Sequence, residues 1–228
     1  DSSIQDNNQY INKFNDPNNL RIWKTHSHWE TFPVKKLHKD SKLIIVSRDP
    51  KDCCISYYYH STDAFDFLYD YTGDINHFID AFTKGILPGG SYWNYYRKYW
   101  DLYHNINSPF YHKRKDSKML WLYYEDLLTN AKQEIIKIAK FLNVYHNLGT
   151  NNNERNTVID KIVHESSFKQ MKSDFNDLNV PFKNFFRKGI MNDWKGIMTQ
   201  KQIHHFNQLN RYYFYNSNFK YYSPKSKL

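Results

Sequence analysis

Lys42-Leu43-Ile44-Ile45-Val46-Ser47-Arg48-Asp49-Pro50-Lys51-Asp52-Cys53-Cys54-Ile55-Ser56-Tyr57-Tyr58-Tyr59 decides the fold of this 228-residue chain. Leu43 to Val46 is a short unbroken apolar run rich in β-branched residues, which predicts a strand buried on both faces. Pro50 breaks the extended pattern and suits the first turn of a helix beginning near Lys51. An arginine at the strand's carboxyl end and Ser56 in the early helix converge where open α/β sheets bind ligands, beside a helix N-terminus that attracts anions. The ligand predicted there is a phosphate. Arg48 alone is explained as readily by a surface ion pair closing a strand.

The chain is long enough for one α/β domain with a core of its own, and 20 Tyr and 16 Phe make it unusually aromatic. A net charge of +9 favours anionic partners without separating nucleic acid from a nucleotide or a membrane surface. No basic repeat or zinc-knuckle spacing supports nucleic acid, and no apolar run nears the 18 residues of a membrane span. The two cysteines are adjacent, so they cannot staple distant segments, and there is no Asn-x-Ser/Thr acceptor site. Both facts predict a reducing, cytoplasmic setting. The start Asp1-Ser2-Ser3 has no initiator Met, which leaves room for a removed segment.

Residues 1–19 are polar and asparagine-rich and read as a flexible lead-in to one domain over 20–228. Arg21 to His26 reads as a short strand, Phe32-Pro33 to Lys39 as a turn and short helix before the Leu43 strand. Ile79 to Phe82 and Tyr92 to His104 have helical aromatic spacing, separated by Leu87-Pro88-Gly89-Gly90; Trp93, Tyr96, Trp100 and Tyr103 are assigned to the core. Met119 to Tyr124 is a further strand, followed by a helix with Ile135, Ile138, Ala139 and Leu142 on one face. Asn147 to Arg155 reads as a loop between helices. The alternation predicts crossover units and a parallel sheet.

At Arg48-Asp49-Pro50-Lys51-Asp52, followed by Ser56-Tyr57-Tyr58, the chain resembles the cytosolic sulfotransferases, whose 3′-phosphate motif reads Arg-Asn-Pro-Lys-Asp and then Ser-Tyr-Tyr. These enzymes move a sulfuryl group from 3′-phosphoadenosine 5′-phosphosulfate (PAPS) to an acceptor hydroxyl or amine, leaving PAP. Asp49 departs from the usual asparagine. Lys24-Thr25-His26 resembles the family's Lys-Thr-His signature, 22 positions before Arg48. The resemblance makes His26 the general base that takes the acceptor's proton, and Lys24 the cation facing the sulfuryl group. Read without it, His26 is one of 11 histidines and Lys24 a solvated strand-end lysine.

Tyr124 matches the tyrosine of a Tyr-Glu-Asp element near the adenine, and His164-Glu165-Ser166-Ser167-Phe168 matches a segment whose serines and phenylalanine line the same pocket. Phe168 could equally be plain core. Arg187-Lys188-Gly189, followed by Asp193-Trp194-Lys195, is similar to the family's Arg-Lys-Gly-x-x-Gly-Asp-Trp-Lys, which holds the 3′-phosphate from the other side. Arg187 offers a planar fork, Lys188 a point charge and Gly189 close backbone approach. Asn192 replaces a glycine and is expected to tolerate the positive φ that the turn implies.

Two family elements are not found in the sequence. The Tyr-Pro-Lys-Ser-Gly-Thr-Thr-Trp loop for the 5′-phosphosulfate would lie farther before His26 than the available residues, so the first strand and phosphate loop are expected to be absent here and the chain alone inactive. The dimer motif keeps Lys195 and Thr199 but has Gln200 and His204 in place of Val and Glu, so family-type dimerisation is not implied. The resemblance implies a parallel α/β sheet with helices on both faces, of the P-loop-kinase-like sulfotransferase fold. PAPS is the implied co-substrate and a small molecule the acceptor, with no metal, nucleic acid or membrane partner. The acceptor pocket would be built by loops such as Ser61 to Asp74. The rivals are a PAP-binding protein of the same fold without activity, and a basic nucleic-acid-binding protein, which predicts affinity falling steeply with salt and no preference for PAP over AMP.

Overall fold

The computed structural model describes residues 21–33, 37–38, 40–64, 71–113, 115–177, 185–215, 217 and 219. The chain divides into two units, Asp1–Phe32 and Pro33–Leu228. In the first, residues 21–28 form no regular element, and Ile22 and Trp23 are exposed. The strand expected at Arg21 to His26 is therefore not formed: a strand needs a neighbour to take its backbone groups, and no ladder partner exists for this segment among the described residues. The lead-in of residues 1–19, and most of the helix expected before Leu43, lie outside the described residues.

In the second unit β1 (Leu43–Ser47) and β2 (Met119–Tyr123) pair in parallel, Leu43 opposite Met119 through Ser47 opposite Tyr123. Met119 to Leu122 are all buried, as expected of a strand covered on both faces. β1 departs from its prediction: Ile44 and Val46 are 38% and 44% exposed, so only one of its faces is covered among the described residues. Ser47 ends the strand and locks it to its neighbour, its Oγ accepting the Trp121 indole N–H at 2.9 Å.

Helix α1 (Pro50–Tyr59) begins where Pro50 fits the first helical position, with Asp49 as its cap: the carboxylate accepts the Lys51 backbone N–H at 2.8 Å. A π-helical turn, His60–Ala64, continues it. Helix α2 (Ile75–Lys84) ends on Gly85 at φ +68°, and α3 (Tyr92–His104) starts on the cap Ser91, so the predicted break falls where expected. Among the described residues the crossover from β1 to β2 thus runs through α1, α2 and α3.

The aromatic spacing of α3 becomes core, as read. Trp93 meets Phe82 and Phe206, and its indole N–H donates to Asn210 Oδ1 at 2.7 Å. Trp100 packs edge-on against Trp121 of β2, with ring centroids 5.0 Å apart. After β2 come α4 (Tyr124–Thr129), α5 (Ala131–Phe141), a 3-10 turn (Tyr145–Leu148), α6 (Asn152–Glu165) and α7 (Phe168–Asp177). The last elements are a second 3-10 turn, Asp193–Gly196, and α8 (Gln200–Phe214). Ala139, Leu148 and Ile159 make a satellite core between α5 and α6, bordered by Ile135, Val144 and Ile162.

The loop expected over Asn147 to Arg155 is shorter than read. Asn151 caps α6 by accepting the Glu154 N–H at 3.0 Å, and Glu154 reaches back to Thr150 at 2.8 Å. The asparagines that suggested a loop are thus a cap and the first helical turn. Among the described residues no helix is long and apolar enough to cross a membrane.

Candidate active site

β1 delivers Arg48 to the carboxyl end of the sheet. There its guanidinium lies over the Tyr124 ring, 4.6 Å from the centroid, at the corresponding end of β2. Pairing the two strands in register thus brings together two residues that the sequence separates by 76 positions. The guanidinium is poorly satisfied: Nε is buried without a partner, and Nη2 reaches the Ile190 carbonyl only at 3.5 Å. A planar cation with an orphaned donor fits a phosphate oxygen. The backbone is held from below, the Arg48 carbonyl accepting the Tyr92 hydroxyl at 2.6 Å.

The next layer down is acidic. The Glu125 carboxylate, 1% exposed, accepts the Asp49 backbone N–H at 2.8 Å, while its other oxygen is buried and unpaired. Burial raises its pKa, and burial likewise raises that of Asp49 against the opposing pull of the Lys51 ammonium, 3.2 Å away. Burial also pushes the Cys53 thiol up to about 11, so the helix carries no ready thiolate nucleophile.

Ser56 sits half-buried on α1, one turn beyond Asp52. Tyr59, further along, carries the Arg187 guanidinium 4.3 Å above its ring. The Arg187-Lys188-Gly189 segment is therefore tied to the helix that follows Arg48. Asp193 binds both cations: Lys188 Nζ at 2.7 Å, and Arg187 in an ion pair. Burial pushes the Asp193 carboxyl up, but the hydrogen bonds and charges of Lys188 and Arg187 outweigh it and hold the group below the ordinary carboxylate range.

Gly189 has φ +64°, and a Cβ there would run into the Phe168 ring. Phe168 thus packs directly against Gly189 of the basic turn. Asn192 adopts the left-handed conformation, φ +62°, as expected of the residue replacing glycine. Ser167 caps α7, accepting the Gln170 N–H at 3.2 Å, whereas Ser166 is exposed and turns its hydroxyl back to the Ile162 carbonyl at 2.7 Å.

The second unit therefore brings together Arg48, Tyr124, Arg187, Lys188, Gly189 and Phe168 through shared contacts. Lys24 and His26 belong to the first unit and are exposed there. Of the Ser61 to Asp74 loop, residues 65–70 lie outside the described residues. In the dimer-motif region Thr199 is spent as the cap of α8, in a capping box with Gln202, and Gln200 and His204 are exposed. Among the described residues no group of three or more His, Cys, Asp or Glu side chains could hold a metal ion. The reading of the sequence missed Asp52, Tyr59, Asp193 and Glu125. Asp52 and Asp193 stood inside the quoted motifs; Asp52 acts on amides 140 and 142 positions away, Asp193 on the two cations five and six positions before it.

A parallel sheet with crossover helices and a basic cluster at its carboxyl end is the α/β arrangement in which ligand sites ordinarily lie at that end. The family model described as the sulfotransferase domain matches residues 2–218. Human sulfotransferase 1E1 is 29% identical over 202 residues, covering 83% of this chain and 60% of the relative. Mouse sulfotransferase 1A1 is 33% identical over 195 residues, covering 82% and 60%. The structure of mouse sulfotransferase SULT7A1 complexed with PAP superposes with a TM-score of 0.67 at 27% identity, covering 85% of this chain and 65% of that one. The chain belongs to the sulfotransferase family, and its motifs are those of the cytosolic branch. It spans about 60% of the length of the curated relatives it matches.

Proposed function

We propose that the protein is a PAPS-dependent sulfotransferase of the cytoplasm, passing a sulfuryl group to a hydroxyl or amine of a small molecule. The observation that carries this reading is the under-satisfied Arg48 guanidinium, stacked on Tyr124 and joined through α1 to the Arg187-Lys188-Gly189 turn. Arg48, Ser56, Arg187 and Lys188 are the residues for the 3′-phosphate; Tyr124 and Phe168 are flat faces for the purine, with Ser166 and Ser167 at its border. The orphaned Nε and the close Gly189–Phe168 approach both suit that half of the nucleotide. The solved mouse relative with PAP supports the same ligand.

For the chemistry, His26 takes the acceptor's proton as the acceptor oxygen or nitrogen attacks sulfur. The sulfur–oxygen bond to the nucleotide breaks, and PAP departs carrying the negative charge. Lys24 stabilises charge on the sulfuryl oxygens and on the departing oxygen, as cations do in phosphoryl transfer. The matching test is turnover of PAPS with a simple phenol. In a full-length version carrying the phosphate loop, His26→Ala is expected to lower the rate by about 10²–10⁴-fold with PAP affinity nearly intact. Equal losses in rate and PAP affinity would make His26 a structural residue instead.

A further inference from the structure

We propose that Asp52 is a positioning residue for the 3′-phosphate site: it holds the Arg187–Asp193 segment against α1, and preference for a 3′-phosphorylated nucleotide depends on it. This rests on the nucleotide site proposed above. Asp52 lies in the first turn of α1, where an acid ordinarily stabilises the helix simply by facing its N-terminal dipole. Its side chain does more than that. It is 2% exposed, and such burial of a carboxylate is costly unless both oxygens find donors. They find them 140 and 142 residues away: Oδ2 accepts the Asn192 N–H at 2.6 Å and Oδ1 the Trp194 N–H at 3.3 Å.

Those two amides flank Asp193, the residue that grips Arg187 and Lys188. The links therefore run from α1 through Asp52 to the 192–194 backbone, through the Asp193 carboxylate, and so to the two cations. Asn192 is in the left-handed region, which asparagine tolerates better than other residues with a side chain, and Asp52 anchors its N–H in that turn. Lys51, beside it, sets its ammonium 5.0 Å from the Trp194 ring centroid, a second tie between the same two segments. The helix thus fixes Arg48 at its start and Arg187 and Lys188 across the turn, and one carboxylate keeps both sets of cations in register.

Charge and position pull in opposite directions here, which makes the sign informative. Neutralising Asp52 makes the cluster more positive and by field alone would tighten binding of an anion. Loss of the clamp lets the cations move, which weakens the contact that only a 3′-phosphate makes.

The test is calorimetric titration of wild type and Asp52→Asn with PAP and with AMP, together with amide hydrogen exchange at Asn192 and Trp194 without nucleotide. The expected result is PAP affinity lowered about tenfold or more with AMP changed less than about threefold, as loss of one charge-assisted contact implies. The two amides should be protected in wild type and exchange much faster in the variant. In an Arg187→Ala/Lys188→Ala background Asp52→Asn should lose its effect on PAP, which a merely structural acid would not do. An unchanged PAP-to-AMP ratio, equal weakening of both nucleotides, or tighter PAP binding overturns the proposal. If Asp52→Asn does not fold, unprotected Asn192 and Trp194 amides in wild type overturn it and protected ones support the clamp. A wild type indifferent to the 3′-phosphate overturns the nucleotide-site reading itself, and the amide exchange then reports separately whether the clamp exists.

Discussion

Asp49 stands where the family resemblance leads one to expect asparagine, and two effects compete over that exchange. Its carboxylate forms an ion pair with the buried Lys51 ammonium at 3.2 Å, and breaking a buried pair from one side costs about 3–5 kcal/mol. Against this, burial raises the Asp49 pKa, so the folded pocket favours a neutral group there. Lys51 also keeps its place over Trp194. We expect the second effect to win: Asp49→Asn keeps the cap and unfolds at pH 7 within about 1 kcal/mol of wild type. Because the folded pKa lies above the unfolded value of 3.8, wild type is favoured at acid pH and loses ground to the variant as pH rises through the folded value. Urea titrations at several pH values check this; a loss near 3 kcal/mol at neutral pH would contradict it.

Gly189 is the sharper position. Its φ of +64° and the Phe168 ring in the path of any Cβ act together. Gly189→Ala should cost about 2 kcal/mol or more, from the left-handed penalty and displaced packing. Nucleotide affinity should fall with it, because Phe168 must move. Thermal unfolding and PAP titration of the same variant measure both, and an unshifted melting temperature would deny the close approach.

Helices and strands were legible wherever the pattern was carried by the residues' own burial. The Leu43 strand, the proline-started helix and the aromatic face of α3 needed only period and caps. What the pattern could not convey was context. Arg21 to His26 has strand-like composition but no ladder partner among the described residues, and composition says nothing of partners. The asparagines after Gly149 suggested a loop because asparagine favours turns, yet Asn151 is the cap whose hydrogen bond starts α6. The face of β1 carrying Ile44 and Val46 was expected to be covered because the run is apolar, and apolar sequence alone does not supply a covering element.

The α5–α6 pair offers a test of how separable the parts are. Ile159 is buried with Ala139 and Leu148, and none of the three belongs to the contacts around Arg48 and Arg187. Ile159→Ala should destabilise by about 2–5 kcal/mol while leaving the ratio of PAP to AMP affinity unchanged. Chemical denaturation and calorimetry together check it; a changed ratio would mean that this satellite core reaches the basic cluster.

For the molecule as a whole, the candidate site divides by kind of residue. Groups that bind through charge or a flat face were readable because their types are specific to an anion or a purine, and the register of two strands then places Arg48 on Tyr124. The supporting acids were not readable: Asp52 and Glu125 act through partners far away in sequence, and Asp193, though close to Arg187 and Lys188 in the chain, meets them only through the fold of the turn between them. The net charge of +9 is consistent with an anionic ligand but does not choose one. The choice rests on the 3′-phosphate. Calorimetric titration of this chain with PAP and with AMP, repeated on Arg48→Ala, measures it most directly. PAP should bind wild type more tightly than AMP by about 1.5–3 kcal/mol, and Arg48→Ala should remove most of that difference while leaving AMP nearly unaffected. Equal affinity for the two nucleotides, or a preference for PAP that survives Arg48→Ala, would contradict it.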